Sequence, residues 1–358
     1  MNAMRRMSVG ARAWASAGTV ALALAATSCW AFQDPLDTPA MKSPLASKSL
    51  LNGVAQAGKR LIAVGKRGHI LYSSDSGKTW QQANVPVSSD LTAVHFASPL
   101  KGWAVGHDGV VLKTEDGGST WVKQLDGREI GKIMTDYYAQ RSTGPHNNAA
   151  LQEQASRFAE EGADKPFLGV WFENDMVGYV VGAFGMIFRT EDGGKRWTPW
   201  FERTENPDYR HFMAIASVGD ALYLAGEQGM VLRLDKVAQR FRAVPVDYNG
   251  TFFTIAGRNG NVLVSGLRGA LFRSENGGVS WEKVKTDVAG AITGASSTED
   301  GRIALVSQAG DVLLSADDGK TFITQPGSRG VPASAVTSAD LRSLVMVGAR
   351  GAHIHQLK

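Results

Sequence analysis

His353 and His355, close to the end of the 358-residue chain, are the side chains most suited to holding a metal. One residue apart, they fall on one face of a strand, because strand side chains alternate. A metal centre needs more ligands at regular spacing, and none lies nearby in sequence, so the pair reads as structural and no metal is expected. A single cysteine excludes a disulfide framework and a thiolate zinc site. No serine, histidine and aspartate share a motif. The most regular carboxylates are Asp75, Asp116, Asp192 and Asp317, with Asn276 in the equivalent place. Each sits in Ser/Thr-x-Asp/Asn-x-Gly, followed by Trp80, Trp121, Trp197, Phe322 or, after Asn276, Trp281. A catalytic carboxylate is seldom needed five times. The expected role is structural: the carboxylate accepts backbone N–H groups within a hairpin, the glycine takes a positive φ, and the aromatic covers the turn. The remaining chemistry is basic and lies in Gly-x-x-Gly turns, as Lys66, Arg67, Arg268 and Arg350. Those turns are poor phosphate loops, since no helix follows them.

The elements that position these residues are repeats. The second glycine of each Gly-x-x-Gly falls at 68, 109, 185, 229, 269, 310 and 351, and an aromatic follows twelve residues later in the six copies that reach it. In the second unit the strands are expected at Leu91–Phe96, Gly102–Val105, Val110–Thr114 and Trp121–Gln124. All are separated by Gly/Asp/Ser turns. Four short strands in about 40 residues make one blade of a β-propeller. Seven units predict an all-β, seven-bladed ring over residues 32–358. The seventh unit lacks its outermost strand, and the segment Pro39–Lys48 is expected to supply it and close the ring.

One interval is longer by 35 residues than a 41-residue period, and the excess falls at about residues 125–165. Asn147 can cap a helix from about Asn148 to Glu161, with Leu151, Ala155 and Phe158 on one face. A shorter helix is expected near Ile130–Gln140, with Ile133, Tyr137 and Tyr138, and Thr143-Gly144-Pro145 separates the two. A structured insertion of this length is either functional or a plug for the central channel. Tyr137 and Tyr138 join the candidate partner-binding residues. The insertion shares one face of the ring with the Gly-x-x-Gly turns. On that face blades seven and one bring Arg350 near Lys66 and Arg67, with Arg329 in the adjoining connection, to form a local basic patch.

The formal charge of +4 and a pI of about 9.1 invite a nucleic-acid reading. However, residues 1–31 carry Arg5, Arg6 and Arg12, no acid and an Ala/Leu-rich run, the order of a secretory signal. Cleavage after Ala31 removes three of the 38 basic residues and leaves 35 against 34 acidic ones. A near-neutral, exported, cysteine-free chain disfavours nucleic acid and places the protein in the periplasm. A rival reading is a lipoprotein anchored through Cys29.

The segments Thr-Glu-Asp-Gly-Gly-Ser-Thr-Trp (114–121) and Thr-Glu-Asp-Gly-Gly-Lys-Arg-Trp (190–197) resemble the Asp-box, or bacterial neuraminidase repeat. Together with Val-Gly-x-x-Gly and the secretory signal, they are similar to the photosystem II stability/assembly factor family, over about Leu50 to Leu357. That resemblance implies a non-enzymatic seven-bladed propeller that assembles or stabilises a membrane complex, with an arginine-rich surface to which Arg67, Arg268 and Arg350 correspond by position. In a non-photosynthetic host the client is another membrane complex or transporter. The resemblance implies a membrane-protein partner, and a monomer is expected. No cofactor, no small-molecule ligand and no nucleic acid are expected. The alternative is a secreted glycan-binding or sialidase-like glycoside hydrolase propeller, a sialidase needing an arginine triad and a Tyr/Glu nucleophile pair and other glycosidases a pair of carboxylates. Against it, there is no Arg-Ile-Pro motif before the first repeat.

Overall fold

The computed structural model describes residues 33–141, 149–298, 300–326 and 330–357. The expected signal (1–31) with Cys29, the helix cap Asn147 with Asn148, the Thr143-Gly144-Pro145 break and Arg329 lie outside the described residues. Among the described residues no helix is long and apolar enough to cross a membrane.

Seven antiparallel sheets follow one another along the chain, six of four strands in sequence order and a last one of three. The first strand of each sheet packs against that of the next, and the first sheet also packs on the seventh, so the sheets form a closed ring. In blade two the strands are Leu91–Phe96, Gly102–Gly106, Val111–Thr114 and Val122–Leu125, within a residue of expectation. The second strands, such as Gly102–Gly106 and Ile303–Ser307, are buried throughout. They therefore read as continuous apolar runs rather than alternating ones, as strands covered on both faces do. A bulge marks the entry of the first strand in blade after blade, for instance at Leu51/Gly53, Leu91/Ala93 and Phe252/Thr254. Bulges sharpen the local twist, which suits blades that radiate from an axis.

Ring closure differs from the expected shared strand. Blade seven keeps three strands, Ala333–Asp340, Ser343–Gly348 and Gly351–Gln356. The segment expected to complete it runs elsewhere. Ala40 donates its N–H to the Val85 carbonyl, and the Lys42 ammonium donates to the carbonyls of Gln82 and Ala83, all on blade one's outer side. Its end, the short turn Ala46–Lys48, is seated under Gly351, where a Cβ would collide with the Ser47 carbonyl. In blade one the equivalent glycine, Gly68, is seated the same way on the Val87 carbonyl of the outgoing connection. Residues 46–48 thus replace the connection that blade seven lacks. The seam itself is apolar, with Leu51, Leu61, Leu71, Val345 and Val347 in one buried cluster.

The insertion forms two helices, α1 (Gly127–Ala139) and α2 (Ala149–Glu161). α1 starts three residues before expectation because Asp126 caps it, accepting from the Arg128 N–H. The helices cross closely at Gly131, where a Cβ would collide with the Ala159 backbone. Ile130, Met134, Tyr138, Leu151, Ala155 and Phe158 join the core of blades two and three. α1 packs on the outermost strand of blade three and on blade two's Gly-x-x-Gly turn. The insertion therefore roofs the outer seam between these blades instead of plugging the channel.

Candidate partner-binding face

Five Gly-x-x-Gly turns hold a non-glycine residue in the left-handed region: Arg67 (φ 58), Asp108 (φ 58), Phe184 (φ 54), Gln228 (φ 53) and Arg268 (φ 55). That conformation costs of order 1 kcal/mol for a side-chain-bearing residue and persists only where the surroundings fix it. Here a tight turn and the seated glycine after it do so. The left-handed residue is pushed outward, and Arg67, Phe184, Gln228 and Arg268 are all exposed. The incoming connections fix the turns further. Asp90 accepts from the Arg67 N–H at 2.8 Å and lies 3.7 Å from the Lys66 ammonium. Ser89 donates to Asp108 at 2.6 Å, and Glu227 accepts from the His211 N–H at 2.8 Å.

Charge is uneven around this face. Within the Gly-x-x-Gly turns themselves, blades one, five and seven carry the Lys and Arg residues, whereas blades two to four carry Asp108, Phe184 and Glu227. α2 meets the latter sector through Gln154, which donates to the Phe184 carbonyl at 3.1 Å, and beyond the helix the Lys165 ammonium lies 6.0 Å from the Phe184 ring. The guanidinium groups of Arg67, Arg268 and Arg350 form no ion pair among the described residues. Arg268 and exposed Leu267 border a cavity of about 490 Å³ together with Tyr248 and Lys283. Tyr248 donates to the Leu267 carbonyl at 3.1 Å, and burial raises its pKa. His69, directly after the blade-one turn, is held below the usual histidine range by burial, which outweighs its backbone hydrogen bond at Met41. It adds no charge at neutral pH.

Sequence reading missed Lys48. It is exposed and flanks the blade-seven turn, because its Cα lies 2.6 Å from where a Gly351 Cβ would stand. The signal was available in principle, since the residue precedes the first strand by a fixed short distance. Reading it required knowing that this segment acts as a connection.

Tyr137 and Tyr138 are drawn inward. Their hydroxyls donate to the two oxygens of one carboxylate, Glu202, at 2.9 Å each. Tyr138 is 5% exposed. Burial, and then the Glu202 charge, push Tyr137 up to about 12 and Tyr138 up as well. The pair fastens α1 to the short turn Phe201–Arg203 after blade three. Tyr137 alone keeps an outer surface, with the Arg141 guanidinium 3.7 Å over its ring.

The repeated carboxylates are occupied within their own hairpins. Asp116 accepts from the N–H groups of Ser119 and Thr120 and from the hydroxyls of Thr120 and Thr114, at 2.6 to 3.0 Å. Thr79 does the same for Asp75, at 2.9 and 2.6 Å, and the Thr79 hydroxyl and then its N–H hold Asp75 down to about 2. Asp192, Asn276 and Asp317 accept equivalent bonds from Arg196, Ser280 and Thr321. Trp121 and Trp197 are buried, while Trp80, Trp281 and Phe322 are half-buried. His353 and His355 lie on one side of the last strand with buried, unpartnered Nε2 atoms, and no metal-ligand cluster occurs among the described residues.

Comparison with known proteins agrees with this architecture. Among solved structures, one described as YCF48 bound to D1 peptide superposes with a TM-score of 0.63 at 14% identity, covering 89% of this chain and 96% of that one. YCF48 from Cyanidioschyzon merolae gives 0.63 at 16%, covering 88% and 97%. At such identities the likeness is one of fold. A photosystem II assembly lipoprotein, Ycf48, of Synechococcus sp. (strain CC9902) is 28% identical over 43% of this chain and 47% of its own. The chloroplastic photosystem II stability/assembly factor HCF136 of Arabidopsis thaliana is 23% identical over 63% and 64%. The chain thus spans less than two thirds of the length of these curated relatives. The model of the family described as photosynthesis system II assembly factor YCF48 matches residues 11–115, 75–134 and 150–338. With well over half of its length matched, the chain belongs to that family.

Proposed function

We propose that this protein is an exported, non-enzymatic assembly factor that binds a membrane protein through the basic sector of its turn face. Lys66, Arg67, Arg268 and Arg350 carry the contact, joined by Lys48, by Arg329 in the connection to blade seven, and by the Tyr137 edge; Tyr138 supports α1 from below. The observation that carries this reading is that the guanidinium groups of Arg67, Arg268 and Arg350 are exposed on the turns and form no ion pair among the described residues. Guanidinium groups carried on a constrained turn backbone and free of ion pairs keep their planar fork available to an acidic or carbonyl-rich segment. Family membership supports the assembly role, and a relative in complex with a D1 peptide supports a membrane-protein segment as client. In a host without photosystem II the client is another membrane complex or transporter. The protein acts as a monomer in the periplasm after cleavage near Ala31, or is anchored through Cys29, as the lipoprotein relatives suggest by name.

Proximity crosslinking from Arg67 and Arg350 tests this. An inner-membrane protein should be captured, and Arg67→Ala, Arg268→Ala and Arg350→Ala together should lower capture about tenfold or more, since each lost charge-assisted contact is worth roughly 1.5–3 kcal/mol. Unchanged capture by a folded triple variant, or recovery of soluble glycans alone, overturns the reading.

A further inference from the structure

The opposite face of the ring carries the Asp-box loops, and each loop leans on the preceding blade. At four seams a side chain of that blade donates to a main-chain carbonyl of the loop. Arg60 donates to Gly117, Gln124 to Gly193, Tyr223 to Gly277 and Arg273 to Asp318, at 3.2, 3.1, 3.3 and 2.9 Å. The seam between blades three and four has no such loop. Blade four has Leu234 where the Ser/Thr should be and Lys236 where the Asp should be. Without those acceptors the hairpin zips on to the pair Asp235–Arg240 and closes by a tight turn through Lys236–Gln239.

Blade three nevertheless keeps the donor. Arg189 and Arg273 occupy the same repeat position, one residue before the Asp-box Thr or Ser. Their Nη1 groups make the same bond, 2.6 Å to Glu191 in one case and to Glu275 in the other. They differ at Nε. In Arg273 it donates to the Asp318 carbonyl, whereas in Arg189 it is buried and has no partner. A buried, unsatisfied guanidinium N–H is costly, and in a native protein it points to a missing acceptor. The Arg189 guanidinium is held in place by Trp200, 5.0 Å from its ring centre, and by Tyr179, at 5.8 Å. It lines an open cleft of about 310 Å³ with Trp171, Leu234 and Lys236. Trp171 stands half-exposed at the wall, its indole N–H on Ser217 at 3.2 Å.

We infer that this cleft is a second binding site, for a tight glycine-containing turn of another polypeptide. A main-chain carbonyl of the turn accepts from the part of the Arg189 guanidinium that lines the cleft, and its body packs on Trp171 and Leu234, where the chain's own loop would sit in any fully repeated seam. The site lies on the face away from the basic sector and stands independently of the function proposed above.

The probe is a labelled cyclic peptide of this chain's own loop, Thr-Glu-Asp-Gly-Gly-Ser-Thr-Trp, titrated by fluorescence polarisation against the full chain. Saturable binding is expected. Arg189→Lys keeps the charge but removes the planar guanidinium donors, and should weaken binding about tenfold. Rebuilding the blade-four loop with Leu234→Thr, Lys236→Asp, Val237→Gly and Ala238→Gly should fill the cleft from within and abolish binding while preserving the fold. No saturable binding at millimolar peptide, or equal affinity in wild type and both folded variants, overturns the site. Melting curves separate a misfolded variant from a folded one.

Discussion

The two faces of the ring use the same repeat in opposite ways. On the Asp-box face polar groups turn inward: Asp116 accepts four bonds within its hairpin, and Arg273, 1% exposed at its side chain, joins Glu275, Glu282 and the next blade. On the turn face the backbone is just as constrained, yet Arg67, Arg268 and Arg350 are left without an ion pair among the described residues. Outside the seam between blades three and four, the first face turns its polar groups to the scaffold, whereas the second leaves charge pointing outward. Charge alone does not mark a binding surface; charge with nothing internal to do is the better indicator.

The strongest test of this contrast removes a scaffold glycine. Gly269 has φ +66, and a Cβ there would collide with the Val288 carbonyl. Gly269→Ala should cost about 3 kcal/mol or more by denaturant unfolding, through backbone strain and steric overlap together. Next in size is Asp126→Ala. This buried carboxylate caps α1 and accepts from Lys123 and Arg128 at 2.8 and 2.7 Å, so its loss strips a cap and leaves two cations with less compensation. A destabilisation of about 2 kcal/mol is expected.

A smaller effect is a dependence on acid. Burial raises Asp126, but the bonds from Arg128 and Lys123 outweigh it and hold the carboxyl at about 2, below its usual 3.8. Asp317 stands at about 2 as well, with burial overcome by the Thr321 bonds. A carboxyl depressed in the folded state stabilises above its unfolded pKa and loses that contribution as pH falls through the folded one. Melting temperature should thus hold above pH about 4 and drop between about 4 and 2. Asp126→Ala should flatten part of that drop, whereas an unaltered profile would show that the cap carboxylate is not coupled to folding. The least effect should come from the Arg67, Arg268 and Arg350 triple alanine variant, whose melting temperature should stay within about 2 °C. A loss comparable to that of Asp126→Ala would collapse the distinction between the faces.

The ring was legible in the sequence because glycine spacing reports turns directly, and turns recur once per blade. Residues whose partners are local were equally readable: Asp75 finds Thr79 four positions on. Residues whose partners are distant were not. Tyr137 and Tyr138 show helical spacing, but nothing in it announces Glu202, 65 and 64 positions away. The segment Pro39–Lys48 was expected as a strand, yet it contains Pro39 and Pro44, which have no N–H for a ladder. The defect in blade four is visible as Leu234 and Lys236, but its consequence appears only in the Arg189 of the neighbouring blade.

The seam under Gly351 has a consequence for how the protein is made. Ser47 is among the first of the described residues to be synthesised, and Gly351 is among the last. Every other blade can meet its neighbour as soon as the ribosome releases it, but this contact joins the segment before blade one to blade seven and bears the largest loop-closure cost. Until it forms, blades one and seven expose unpaired flanks. The circle cannot complete until Gly351 has been made and has reached Ser47, so the ring stays an open arc until its seventh blade is present.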